Sequence, residues 1–90
     1  MKFNLAHSRA FMGNNLSVEV TCDGDDQIRS VNVDLDGWSI EAVDLDAGTS
    51  EYKREFNGVG DAASGTDHVL TVSVMDQNLN PHSSTARWTD

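Results

Sequence analysis

Alternation constrains this chain more than any other feature. In the segment LSVEVTC, Leu16, Val18, Val20 and Cys22 take every second position, and Ser17, Glu19 and Thr21 fill the gaps. Successive side chains of an extended backbone point to opposite faces, so the pattern describes a strand with one apolar and one polar side. The same rhythm returns in IRSVNVDL, where Val31, Val33 and Leu35 are the inward set, and in HVLTVSVM, where Leu70, Val72 and Val74 are. Shorter stretches repeat it with Tyr52 and Phe56, with Ala86 and Trp88, and most weakly with Phe3 and Leu5. No segment keeps an apolar stripe at helical spacing over the roughly 11 residues that a helix would need.

Between these runs lie turn formers, and one of them has two incompatible readings. Asn32, Asp34, Asp36 and Gly37 match the first ligand positions of an EF-hand calcium loop. That loop closes with a bidentate Glu at its twelfth position, where this chain has Val43. Strand alternation also runs through the supposed ligands, so Asp36-Gly37 is read as the two-residue turn of a β-hairpin. Leu35 and Trp38 are then expected to face each other inside the apolar layer, with Ile40 beside them. Val43 and Leu45 fall one step out of phase, which predicts a bulge near Ala42-Val43. The stretches 46–50, 57–67 and 76–84 read as connections, with Asn80-Pro81 as a turn.

Six to seven short strands in 90 residues predict one all-β domain, residues 1–90, folded as an antiparallel β-sandwich. Two stretches, VNVDLDGW and HVLTVSVMDQN, resemble the middle hairpin and the penultimate strand of the immunoglobulin-like, fibronectin-III-like modules of bacterial and phage proteins. On that resemblance His68, Leu70, Val72, Val74 and Asp76 sit at family positions, and the likeness runs over residues 15–89. Residues 77–81 replace the family's short turn, which lengthens the last loop. The resemblance implies a fold and carries no chemistry.

Charge limits the function. The net charge is −9, and eight of the fifteen acids fall between Asp23 and Asp46. Direct nucleic-acid binding is disfavoured because phosphate contacts need a basic face. A protein partner is expected instead, either at the acidic loops or at a sheet edge that recruits a strand, a second copy of this chain included. A single cysteine, Cys22, cannot form an internal disulfide or a Cys-based zinc site. The chain shows neither a signal-peptide pattern nor an apolar run of membrane-spanning length, so it is expected to be soluble with no membrane contact, and no compartment is assigned.

Candidate sites follow from the expected loop ends. A sandwich gathers the connections near 23–27, 44–50 and 76–83, which makes Asp23, Asp25, Asp26, Asp44, Asp46 and Asp76 a candidate calcium group and calcium the one candidate cofactor. Asp23, Asp25, Asp26, Asn78, Asn80 and His82 are the candidate partner contacts, with His82 the pH-sensitive member. His7, His68 and His82 make a transition-metal site only if the fold collects them, and His68 reads as an edge residue with one hydrogen bond. No nucleophile elbow or poised base is present, and the carboxylates lack an apolar cleft, so an enzyme is not expected. The reading is a non-catalytic binding or structural module. Its alternatives are an acidic inhibitor that mimics nucleic-acid phosphates and a calcium-dependent adhesion or carbohydrate-binding module. Trp38 and Trp88 read as core, and either one, if exposed, as the anchor of a protein or carbohydrate contact.

Overall fold

Two strands with the clearest alternation pair with each other at the centre of the molecule. In the computed structural model, which describes residues 1–22 and 27–90, β3 (Ile28–Leu35) runs antiparallel to β6 (Asp67–Asp76). Val31 lies opposite Val74, Val33 opposite Val72 and Leu35 opposite Leu70, and all six are buried. The hairpin strand β4 (Trp38–Asp44) flanks β3, and β7 (Pro81–Thr89) flanks β6, which gives a four-stranded sheet in the order β4-β3-β6-β7. A three-stranded sheet of β1 (Lys2–Ala10), β2 (Gly13–Thr21) and β5 (Glu51–Val59), with β2 in the middle, packs against it. Leu16, Val18 and Val20 of β2 and Tyr52 and Phe56 of β5 complete the core.

The expected all-β sandwich is therefore the observed one, with seven strands among the described residues. The hairpin reading of Asp36-Gly37 holds as well: φ is 54° at Asp36 and 86° at Gly37, the positive pair that a type I′ turn requires. Gly13, after the Phe11-Met12 turn, has φ 148° and is packed against the connection that follows β5. A Cβ there would lie 2.8 Å from both the carbonyl carbon of Gly58 and the oxygen of Gly60, so only glycine fits without moving that backbone.

Two expectations about β4 need correction. The bulge lies at Ile40, because the register passes from Val33↔Glu41 to Asp34↔Ser39 and skips it, two residues before the predicted slip. Trp38 does pair with Leu35, but its residue is 78% exposed and the indole is not in the core. The cause is position at a sheet edge, where a strand has a neighbour on one side only: Ile40, Val43 and Leu45 near β4, Ala86 and Trp88 on β7, and Phe3 and Leu5 on β1 are only half-buried.

Position sets the energetics in the same way. Leu70→Ala is expected to cost about 2–5 kcal/mol of unfolding free energy, because it opens a cavity between the sheets. Trp38→Ala is expected to stay within about 0.5 kcal/mol, as an exposed substitution should. Urea unfolding followed by circular dichroism measures both, and equal losses would contradict this division of core from rim.

Candidate functional site

Three features compete for the role of functional site: a buried polar cluster at one end of the sandwich, a group of exposed apolar side chains at the same end, and the acidic loops at the other. Antiparallel topology brings the β1–β2 turn, the β3–β4 turn, residues 60–66 and the chain's last residue to the first of these ends.

The cluster is built on Asp36. The positive φ of the turn lets Asp36 reach over to β6, where its Oδ1 accepts from the Val69 amide at 2.8 Å and its own amide donates to the Val69 carbonyl at 2.9 Å. Its Oδ2 lies 2.6 Å from Nδ1 of His68, whose side chain is 2% exposed. Nε2 of the same ring lies 3.0 Å from Oδ2 of the buried Asp90, close enough for an ion pair though not aligned as a hydrogen bond. From Asp90 the cluster continues to His7, whose Nε2 is 3.5 Å from Oδ1. The same nitrogen donates to the fully buried Asn14 at 2.7 Å, and Asn14 donates to the carbonyl of Asp61 at 3.2 Å. Trp88 covers the cluster, stacked on His7 with ring centroids 4.1 Å apart and tilted against His68 at 5.5 Å.

His68 lies on an inner strand and not at the edge that its sequence context suggested; its ring makes the one expected hydrogen bond, to Asp36, and faces a second carboxylate, Asp90, as an ion pair. A neutral imidazole has one N–H and cannot donate toward two carboxylates, whereas the imidazolium can. Burial, the largest influence, pulls its pKa down; the hydrogen bond it donates to Asp36, the charge of Asp36, a backbone bond at Asp61 and the charge of Asp90 outweigh it, and the net shift is upward from 6.5. Nδ1 is committed to Asp36, and Nε2, buried without a hydrogen bond, faces the Asp90 carboxylate and not solvent.

At this end of the sandwich three large apolar side chains are exposed beside the acids Asp36, Asp61 and Asp67. Phe11 is 96% exposed, Met12 76% and Trp38 78%. All three lie in or beside the turns of this end, and Leu79, also exposed, lies at the other.

At the other end Asp76 is buried and organises the last loop. Its Oδ1 accepts from the amides of Asn78 and Asn80, both at 2.9 Å, and its Oδ2 lies 2.9 Å from Nε2 of His82. This arrangement supports Leu79 at φ 64°. The bond from His82 and the amides of Asn80 and Asn78 hold the Asp76 carboxyl below its ordinary 3.8 against the opposing effect of burial. Asp44 and Asp46 are exposed near the same end, while Asp23, Asp25 and Asp26 lie outside the described residues. Among the described residues no group of three or more His, Cys, Asp or Glu is arranged to hold a metal ion. The fold brings His7 and His68 together and leaves His82 at the opposite end.

A shallow concavity of about 660 Å³ lies on the outer face of the four-stranded sheet. Its floor comes from the small side chains Ser30, Asn32, Ala42, Ser73 and Ser83, and no Trp, Tyr or Phe lines it.

Two pH effects follow. His68 stabilises the fold fully below about pH 6.5, and that contribution is lost as pH rises through its raised folded value. The thermal midpoint is therefore expected to fall from about pH 6 to about pH 9, with a shallower fall in His68→Gln; parallel curves would contradict the assignment. Asp76 contributes above 3.8 and loses its contribution as pH falls through a lower value. In an acid NMR titration the Asn78 and Asn80 amides are expected to shift together, with a midpoint below 3.8.

No family model and no curated protein matches this sequence. Among solved structures, the fibronectin(III)-like modules of CbhA from Clostridium thermocellum are similar to it, with a TM-score of 0.55 and 19% identity over 98% of this chain and 94% of that one. At that identity the likeness concerns the fold alone, and the fold is the immunoglobulin-like β-sandwich of fibronectin-III-like modules.

Proposed function

We propose that this chain is a non-catalytic binding or structural module that meets a protein partner at the end carrying Phe11, Met12 and Trp38. The observation that carries the reading is the exposure of these three side chains at one end of the sandwich. Large apolar side chains left exposed at one end of a small domain are candidates for contact, and Trp is among the residues most enriched where binding energy concentrates. The non-catalytic part is supported by the one buried imidazole, both of whose nitrogens face carboxylates.

Contact through the acidic loops has less support. Asp76 spends its carboxylate on the amides of its own loop and on His82, and His82 spends a ring nitrogen in return. A phosphate mimic needs acids in a row along one face. The described exposed acids instead fall mostly at both ends, as Asp36, Asp61 and Asp67 at one and Asp44, Asp46 and Glu51 at the other, and Glu55, mid-way along β5, is set beside the cations Lys53 and Arg54.

The test uses the whole chain as bait against an extract of its source, in three forms: wild type, Phe11→Ser with Met12→Ser and Trp38→Ser, and Asp23→Asn with Asp25→Asn and Asp26→Asn. The apolar triple variant is expected to lose the captured protein by at least about tenfold, the loss expected of removing an anchor worth 1.4 kcal/mol or more. Retention there with loss in the aspartate variant would transfer the contact to the acidic loops.

A further inference from the structure

Among the described residues the sandwich has four strand edges with no hydrogen-bonded neighbour: β1 and β5 in one sheet, β4 and β7 in the other. Such edges are templates for another strand, and folded proteins guard them with charge, bulges or twist. On one side the guards are visible. β4 carries the bulge at Ile40, β5 carries Glu51, Lys53, Arg54 and Glu55, and Arg54 reaches across to Glu41 of β4 at 3.0 Å. β1 places cations near both of its ends, Lys2 and Arg9.

β7 has no bulge: its nine residues pair with β6 in unbroken register from Asp67↔Thr89 to Met75↔Pro81, and its guards, Pro81 and Arg87, sit toward its ends, so that from Ser83 to Ala86 it carries no charge. We propose that β7 pairs antiparallel with β7 of a second copy of this chain, so that two four-stranded sheets become one sheet of eight.

Symmetry favours a second copy as the occupant, and β7 as the edge. In a two-fold antiparallel pairing over the full strand, the central residue lies opposite itself. For β4 that residue is Glu41 and for β5 it is Glu55, so two carboxylates would meet at the axis, an arrangement that destabilises a sheet. For β1 it is Ala6, which has almost no side chain to contribute. For β7 it is Thr85, and Thr–Thr is among the cross-strand pairs that stabilise sheets. The same register sets Ser84 opposite Ala86 and Ser83 opposite Arg87, with no like charges in opposition. Thr85 is exposed, so a second Thr85 can approach it without unpacking the core. With −9 on each copy, association is expected to strengthen as salt screens the repulsion.

The pairing is independent of the contact proposed at Phe11, Met12 and Trp38, and the experiment separates the two. Sedimentation and light scattering over a concentration series are expected to show the mass rising from 9.8 kDa toward twice that value, more readily at high salt. Thr85→Lys puts two cations at the axis and is expected to raise the dimer dissociation constant at least about tenfold, with the circular dichroism spectrum unchanged. A second readout avoids mutation: the β7 amides that point away from β6 are expected to exchange hydrogen more slowly as concentration rises. A monomer up to millimolar concentration overturns the proposal. So does a dimer that survives Thr85→Lys and is lost instead when Phe11, Met12 and Trp38 are changed to Ser.

Discussion

The structure depends on one layer of contacts, the paired Val31-Val74, Val33-Val72 and Leu35-Leu70 of β3 and β6 set against Leu16, Val18 and Val20 of β2. β-Branched side chains fill this layer well, because they lose little further freedom on a pleated surface and pack against their cross-strand neighbours. On the edge strands β1, β4 and β7 the residues that follow the same alternation are half-covered, while Tyr52 and Phe56 of β5 stay buried, and the polar positions of β3 and β6 form the outer floor on which Ser30, Asn32 and Ser73 lie.

The polar cluster closes one end of this layer. A chain of 90 residues buries only about 60–65% of the surface it exposes when unfolded, so an end left open to water would weaken a large share of the core. Asp36 ties the hairpin turn to β6, His68 carries the connection to Asp90, and His7 and Asn14 extend it to β1 and β2. Both sheets are thereby pinned at the same end. Removing one member of such a set leaves its partners buried without a counter-charge, which is why the cluster is high-stakes for stability. It also ties the β3–β4 turn, next to Trp38, to β6 through Asp36.

Much of the fold was legible in the residues, because the face a side chain takes is a local property of an extended chain. Alternation assigned the inward sets of β2, β3 and β6, and Asp36-Gly37 announced its turn through the need for positive φ. Depth was not legible. Trp38 and Val33 both read as inward, but Trp38 begins an edge strand at the rim and Val33 lies along an inner strand, a difference that the order of strands in the sheet sets. The site was hidden for a related reason. His7, Asp36, His68 and Asp90 are scattered along the chain, and nothing in the spacing of any two signals that they meet. His68 and Asp36 each look like ordinary turn-flanking residues, and their partnership is a product of the β3–β6 register. Asp76 was noticed for its charge, whereas its work is done with neighbouring amides four residues or fewer away, a local pattern that the Asx-type spacing Asp76-Gln77-Asn78 could have signalled.

The central claim is that β3 and β6 form the innermost pairing of a two-layer sandwich. Residue-resolved amide hydrogen exchange measures this most directly, since the last amides to open report the most stable part of a fold. The slowest exchange should fall in β3, β6 and β2, at the level of global unfolding, with the outer amides of β4 and β7 in dilute solution exchanging far faster. If protection were instead uniform across all seven strands, or greatest in β4 and β5, the account of a core centred on Val33 and Val72 would be contradicted.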